Sequence, residues 1–200
     1  AKKLYLRARR YAYRALTLQI KDFDSLLDEG RREEALASVS LKELPALYWS
    51  GAAWMGAMTI DPFDVSLTID LPAAVSFIHR VTELDGDFMN GAAHELLVSY
   101  YGGLPAEMGG SEEKARAHFH KAVEASGGRN AGPYVALATS VCINRQYVEE
   151  FRGLLKQAVS LDTSKEDDRR LLNLVNQERA RWYLDHVEDF FLIHDESEDF

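Results

Sequence analysis

A single cysteine, Cys142, occurs in 200 residues. No disulfide can therefore form within the chain, and cysteine usage leaves the redox compartment open. Cys142 lies in the apolar run VALATSVC and reads as a small core residue. Glycine (13) and proline (5) are scarce, which excludes a low-complexity or linker-rich chain. Basic residues are outnumbered 23 to 32, for a net charge of −9. That balance argues against nucleic-acid binding, which needs a concentrated basic surface to neutralise phosphates. Long apolar runs are missing too. The stretch ALYWSGAAWMGAMTI (46–60) stops after 15 residues at Asp61 and Pro62, short of the roughly 20 that a membrane-spanning helix needs.

Catalytic signatures are also lacking. There is no Gly-x-x-x-x-Gly-Lys-Ser/Thr phosphate loop and no Gly-x-Ser-x-Gly elbow. HELL at 94–97 starts like the zinc-protease motif His-Glu-x-x-His, but Val98 occupies the place of the second ligand. His94 then reads as a packing or hydrogen-bonding residue. His118 and His120 stand two apart on an expected helix, so they point about 200° apart and do not chelate together. His79 and His120 occupy equivalent positions on what reads as a solvated face. No metal site, no cofactor and no catalytic group is expected, and the chain reads as a non-enzyme.

What is present is helical periodicity. Leu4, Tyr5, Ala8, Tyr11, Ala12, Ala15, Leu16 and Leu18 recur at steps of three and four, predicting an amphipathic first helix. Shorter helices are expected over about 22–28 and 32–39. SLKE (40–43) has the capping-box pattern ahead of the helix that carries 46–60, with Pro45 tolerated in its first turn. The segment DPFDVSLTIDLP (61–72) reads as a loop with a brief β-like alternation, and Asp70 and Pro72 mark the next helix start. A capping pair is also expected at Ser164 and Asp167. Charge is uneven: residues 1–14 hold six bases and no acid, while 185–200 hold seven acids and no Lys or Arg. These read as solvated terminal segments with mutual attraction.

Three segments align in register: AVSFIHRVTELD (74–85), ARAHFHKAVEAS (115–126) and FRGLLKQAVSLD (151–162). A large apolar residue recurs at Ile78, Phe119 and Leu155, a small or β-branched one at Val81, Ala122 and Ala158, and a base at Arg80, Lys121 and Lys156. The spacings are 41 and 36 residues, and second helices open at Gly91 and Gly132, with Pro133 suited to a first helical turn. Paired helices at this period match degenerate tetratricopeptide (TPR)-like repeats. The expectation is an all-α chain of stacked antiparallel hairpins forming one domain over 1–200, with an acidic tail over about 194–200.

The aromatic residues Tyr48, Trp49, Trp54, Tyr100, Tyr101, Tyr134 and Trp182 are the candidates for a partner or ligand surface, against a default role in the core. Trp49 and Trp54 lie about 140° apart around one helix, so both cannot face the same layer.

The motifs PALYW (45–49), GGS-x-x-x-A-x-x-HF (109–119), SGGRNAGPYV (126–135), RARW (179–182) and D-x-x-E-D-F (185–190) occur in one order. In that order the chain, over about 4–191, resembles the T-component (TatT) family of tripartite ATP-independent periplasmic (TRAP) transporters. The resemblance implies a non-enzymatic, TPR-like bacterial periplasmic lipoprotein, anchored through a cysteine upstream of Ala1. It further implies action with the substrate-binding P component of the transporter, and assembly as homotrimers with a central pore. The tail beyond Phe191 falls outside the family pattern. The alternative reading is a generic TPR adaptor that binds a peptide and has no part in transport.

Overall fold

The computed structural model describes residues 1–164 and 168–192, and every regular element among them is helical. The chain divides into two compact units, Ala1–Met89 and Asn90–Phe200.

The first unit comprises α1 (Lys2–Gln19), α2 (Phe23–Asp28), α3 (Arg32–Ala37), α4 (Leu44–Ile60), α5 (Val65–Thr68) and α6 (Leu71–Leu84). Helix α4 packs against both α1 and α6. It is antiparallel to α1: Lys2 Nζ bonds Asp61 (2.8 Å) and Asp64 (2.5 Å) beyond the end of α4, and Arg9 lies over Trp54. The small residues of α4 make both approaches possible. A Cβ on Gly56 would stand 2.6 Å from the Tyr5 ring, and one on Gly51 2.8 Å from Ile78 Cδ1. With neighbours on two sides, α4 buries most of its circumference, including Leu47, Ala53, Trp54, Ala57 and Met58. Phe23 sits edge-on to Tyr13 and Phe77 and closes the core with Leu16 and Ile78.

The helix starts follow local chemistry. Of the capping box expected at SLKE only the bond from the Ser40 N–H to the Glu43 carboxylate forms (3.2 Å), and it closes a turn ahead of α4, whose N-cap, Glu43, makes no side-chain cap bond. The Ser40 hydroxyl donates to the same carboxylate (2.6 Å), and α4 begins one turn later at Leu44 with Pro45 in its first turn. Residues 61–72 are not a plain loop. Asp64 accepts the N–H of Ser66 (3.0 Å) and caps the short helix α5, so the β-like alternation is a turn of helix. Arg80 donates to the Leu36 and Val39 carbonyls at 3.0 and 3.3 Å, tying α6 to the turn that follows α3.

The second unit comprises α7 (Ala92–Gly103), α8 (Glu112–Ala125), α9 (Gly132–Leu137), α10 (Ile143–Arg145), α11 (Val148–Ser160) and α12 (Arg170–Asp185). A π-helical turn, Ala138–Cys142, joins α9 to α10 as one continuous rod. Helices α7 and α8 run antiparallel, with the Ser111 N–H donating to the Tyr101 carbonyl (2.8 Å) at their turn and Gly91 against Ala122 at the far end. The Ser111 hydroxyl caps α8 by accepting the Lys114 N–H, and Pro133 lies in the first turn of α9, as expected. Helix α11 packs against α9, the π turn and α12.

The aligned segments have a common inner face: Ala74, Ala115 and Phe151, then Val81, Ala122 and Ala158, are all fully buried. Ile78 and Leu155 are fully buried, and Phe119 is half-buried against Tyr134. The Ser164–Asp167 pair and the tail over 194–200 lie outside the described residues. No helix among the described residues is long and apolar enough to cross a membrane.

Candidate functional site

The seven aromatic candidates separate by unit and by environment. In the first unit, Tyr48 is buried edge-on between Trp49 (5.2 Å) and Phe88 (5.4 Å). Trp54 is 6 % exposed, its ring covered by the Arg9 guanidinium at 3.4 Å, and its indole N–H has no hydrogen-bond partner. Burial holds the Arg9 guanidinium below its usual range, with Asp70 pulling the other way. Trp49 is 49 % exposed. The two tryptophans of one helix therefore face different surroundings, as their angular separation requires, and Trp54 is the core residue.

In the second unit, Tyr101 and Tyr134 are buried, Tyr100 is half-buried, and Trp182 is 49 % exposed. Tyr100 meets Tyr101 edge-on at 4.9 Å. The Tyr134 hydroxyl accepts from Gln157 Nε2 (3.3 Å). Trp182 stacks on His186 at 4.5 Å and meets Phe190 edge-on. Tyr48, Trp54, Tyr101 and Tyr134 thus serve packing, while Trp49 and Trp182 present open rings on their separate units.

Two polar features around α7 escaped the aromatic reading. His94 Nδ1 and His118 Nδ1 stand 2.8 Å apart across the α7–α8 interface, and His118 stacks flat on Tyr101 (5.6 Å, 3°). One ring must donate and the other accept, so the pair is an internal hydrogen bond. His120 is exposed and His79 half-buried. Among the described residues no cluster of three or more His, Cys, Asp or Glu could hold a metal ion.

Glu95, the second residue of HELL, is partly accessible yet lies deep among α7, α9 and α12. Its carboxylate presses against the Cα of Gly132, where any added Cβ would overlap both oxygens. Burial pushes the carboxyl up to about 7, with Arg179 pulling the other way. A carboxyl poised near neutrality is a common attribute of functional sites. The spacing of the sequence does not reveal it, because Gly132 and Arg179 come from other elements.

Structural polar groups account for the rest. Asn173 accepts from the Ala131 N–H and donates to the Arg129 carbonyl, both at 2.8 Å, pinning α12 to the start of α9. Gln177 Nε2 reaches the carbonyls of Ala158, Val159 and Leu161 at the end of α11. Arg116 pairs with Glu112 and, through two bonds, with Glu150. Burial, followed by the nearby Glu150 charge, pushes the Cys142 thiol up to about 12, which keeps it protonated and unreactive. A cleft of about 410 Å³ opens at the α7–α8 turn, lined by Tyr101, Leu104, Pro105, Glu112, Asn144 and Arg145.

A curated protein of Treponema pallidum (strain Nichols), described as uncharacterized, is 30 % identical over 195 residues. That match takes in 96 % of this chain, and the chain spans 60 % of the relative's length. The family model described as TRAP transporter T-component matches residues 1–191. With its all-α fold and that match over nearly its whole length, the chain belongs to the TRAP transporter T-component family, a family of transporter subunits and not of enzymes.

Proposed function

We propose that the protein is an ancillary, non-catalytic subunit of a TRAP-type transport system in the bacterial periplasm. In this reading its degenerate TPR-like hairpins dock the solute-binding P component and shape a passage for the ligand that component carries. The family match over residues 1–191 carries the reading. Exposed rings at Trp49 and Trp182 support it, since open aromatics on rigid helices are the side chains that anchor protein interfaces. A lipid anchor upstream of Ala1 and a homotrimer with a central pore belong to the same reading.

The test is a binding titration of the purified chain against P components encoded beside its gene, with Trp49→Ala and Trp182→Ala as variants. Binding at about micromolar Kd, weakened roughly tenfold by at least one variant, is expected. No measurable binding to any co-encoded P component would overturn the docking role. Analytical ultracentrifugation tests the trimer separately.

A further inference from the structure

Helix α1 has a second apolar face left largely exposed, where the Arg10 guanidinium lies over the Tyr11 ring at 5.4 Å. Its inner side, with Arg9, Leu16 and Ile20, packs within the first unit. On the outer side Leu4 and Tyr11 are each 61 % exposed and Leu18 is 75 % exposed. At about 100° per residue these three fall within about 40° of one another. Ala8 and Ala15 lie along one edge, so the face reads Leu4, Ala8, Tyr11, Ala15, Leu18 at alternating steps of four and three. This is the a/d seam of a coiled coil, with alanine at each a position and a large residue at each d. Along the other edge run Lys3, Arg7, Arg10 and Arg14, all exposed. None of these four has an acidic partner among the described residues, and residues 1–21 include no Asp or Glu.

We propose that this face is a docking seam for an acidic amphipathic helix of another protein. The inference is independent of the transport reading. Three observations select that occupant. The seam alternates small and large residues at the spacing that receives knobs from a facing helix. Pairing α1 with α1 of a second copy would set two rows of cations side by side with no acid to offset them. A facing helix with Glu or Asp flanking its own a/d seam meets Arg7 and Arg14, the g positions, with opposite charge, which in coiled coils decides partner choice, while Lys3 and Arg10 at c add only to the positive field.

The experiment uses the whole chain and a labelled three-heptad peptide with Leu at a and d and Glu at e and g, compared with the same peptide carrying Lys at e and g. The acidic peptide should bind, and raising salt from about 50 to about 500 mM should weaken it several-fold. The Lys peptide should not bind. Arg7→Glu/Arg14→Glu should reverse the preference, and Leu4→Ser/Leu18→Ser should weaken binding of the acidic peptide at least roughly tenfold. Circular dichroism and urea midpoints should stay unchanged, because all four positions are exposed. Equal binding of both peptides, or of neither, overturns the proposal. So does sedimentation with anionic phosphatidylglycerol vesicles in place of peptide binding, which would make the occupant a bilayer. Self-association abolished by Leu4→Ser/Leu18→Ser would make it a second copy.

Discussion

His94 and His118 share a hydrogen bond between their Nδ1 atoms, 2.8 Å apart, across the interface of α7 and α8. Two imidazoles can do this only if one Nδ1 carries a proton and the other offers a lone pair. Ring ¹⁵N spectra at neutral pH should therefore show one protonated and one unprotonated Nδ1 in this pair. His118→Ala removes both that bond and the surface on which Tyr101 stacks. A loss of about 1–3 kcal/mol in urea unfolding is expected. Equivalent ring nitrogens, or an unchanged midpoint, would contradict the arrangement.

Gly132 and Glu95 are coupled by contact. Gly132→Ala drives a methyl group into the carboxylate and should cost roughly 1–3 kcal/mol. Adding Glu95→Ala removes the obstruction, so the double variant should recover most of that loss. Additive effects in a double-mutant cycle would show that the two residues do not press on each other.

Glu95 also makes stability depend on pH. Its folded-state carboxyl sits near 7, above the ordinary 4.5 of the unfolded chain. Below about pH 4.5 both states are protonated and the burial costs nothing through ionisation. As pH rises from 4.5 to 7 the unfolded state loses its proton first, so the folded state is progressively penalised, and above 7 the penalty levels off. Glu95→Gln should therefore stabilise the protein at pH 8 by up to about 3 kcal/mol, with little effect at pH 4. Solvent reaching the carboxyl reduces that figure. Denaturant midpoints of the two proteins at both pH values decide it, and a gain of equal size at pH 4 would assign the effect to packing.

The two tryptophans of α4 should respond unequally. Trp54→Ala empties a buried site under Arg9 and should cost about 3–5 kcal/mol. Trp49→Ala changes an exposed ring and should stay within about 1 kcal/mol. Trp54→Phe should cost less than Trp54→Ala, because it keeps a ring in the site under Arg9 while also removing the unpartnered buried N–H. Urea titrations of the three variants order them.

Cys142 should resist thiol reagents in the folded protein and react on unfolding, since burial keeps it a neutral thiol. Rapid labelling under native conditions would place it in an open environment.

Features set by neighbours along the chain were legible in the sequence. The cap at Ser111, the proline in the first turn of α9 and the start of α6 at Asp70 are where turn chemistry puts them. The repeat register identified the buried positions Val81, Ala122 and Ala158 because helical periodicity reports the inner face directly. The cap at Asp64 was hidden by Val65, Leu67 and Ile69, whose alternation imitates a strand although they span a single helical turn. The π turn at Ala138–Cys142 leaves no mark, since the same residues suit an α-helix. His94 with His118, and Glu95 with Gly132, are pairs made by folding across separated elements, so no local pattern encodes them. The angle between Trp49 and Trp54 was readable, but which of them is buried depends on where α1 brings Arg9.

The double packing of α4 has a consequence for motion. Helix α1 can fray from its solvent side and α6 has its own outer surface, but the amides of α4 have a helix on either side. Their hydrogens should exchange with solvent only when the whole first unit opens, so α4 is the cooperative spine of that unit. The least charged stretch of the chain is then also the slowest clock of its unit.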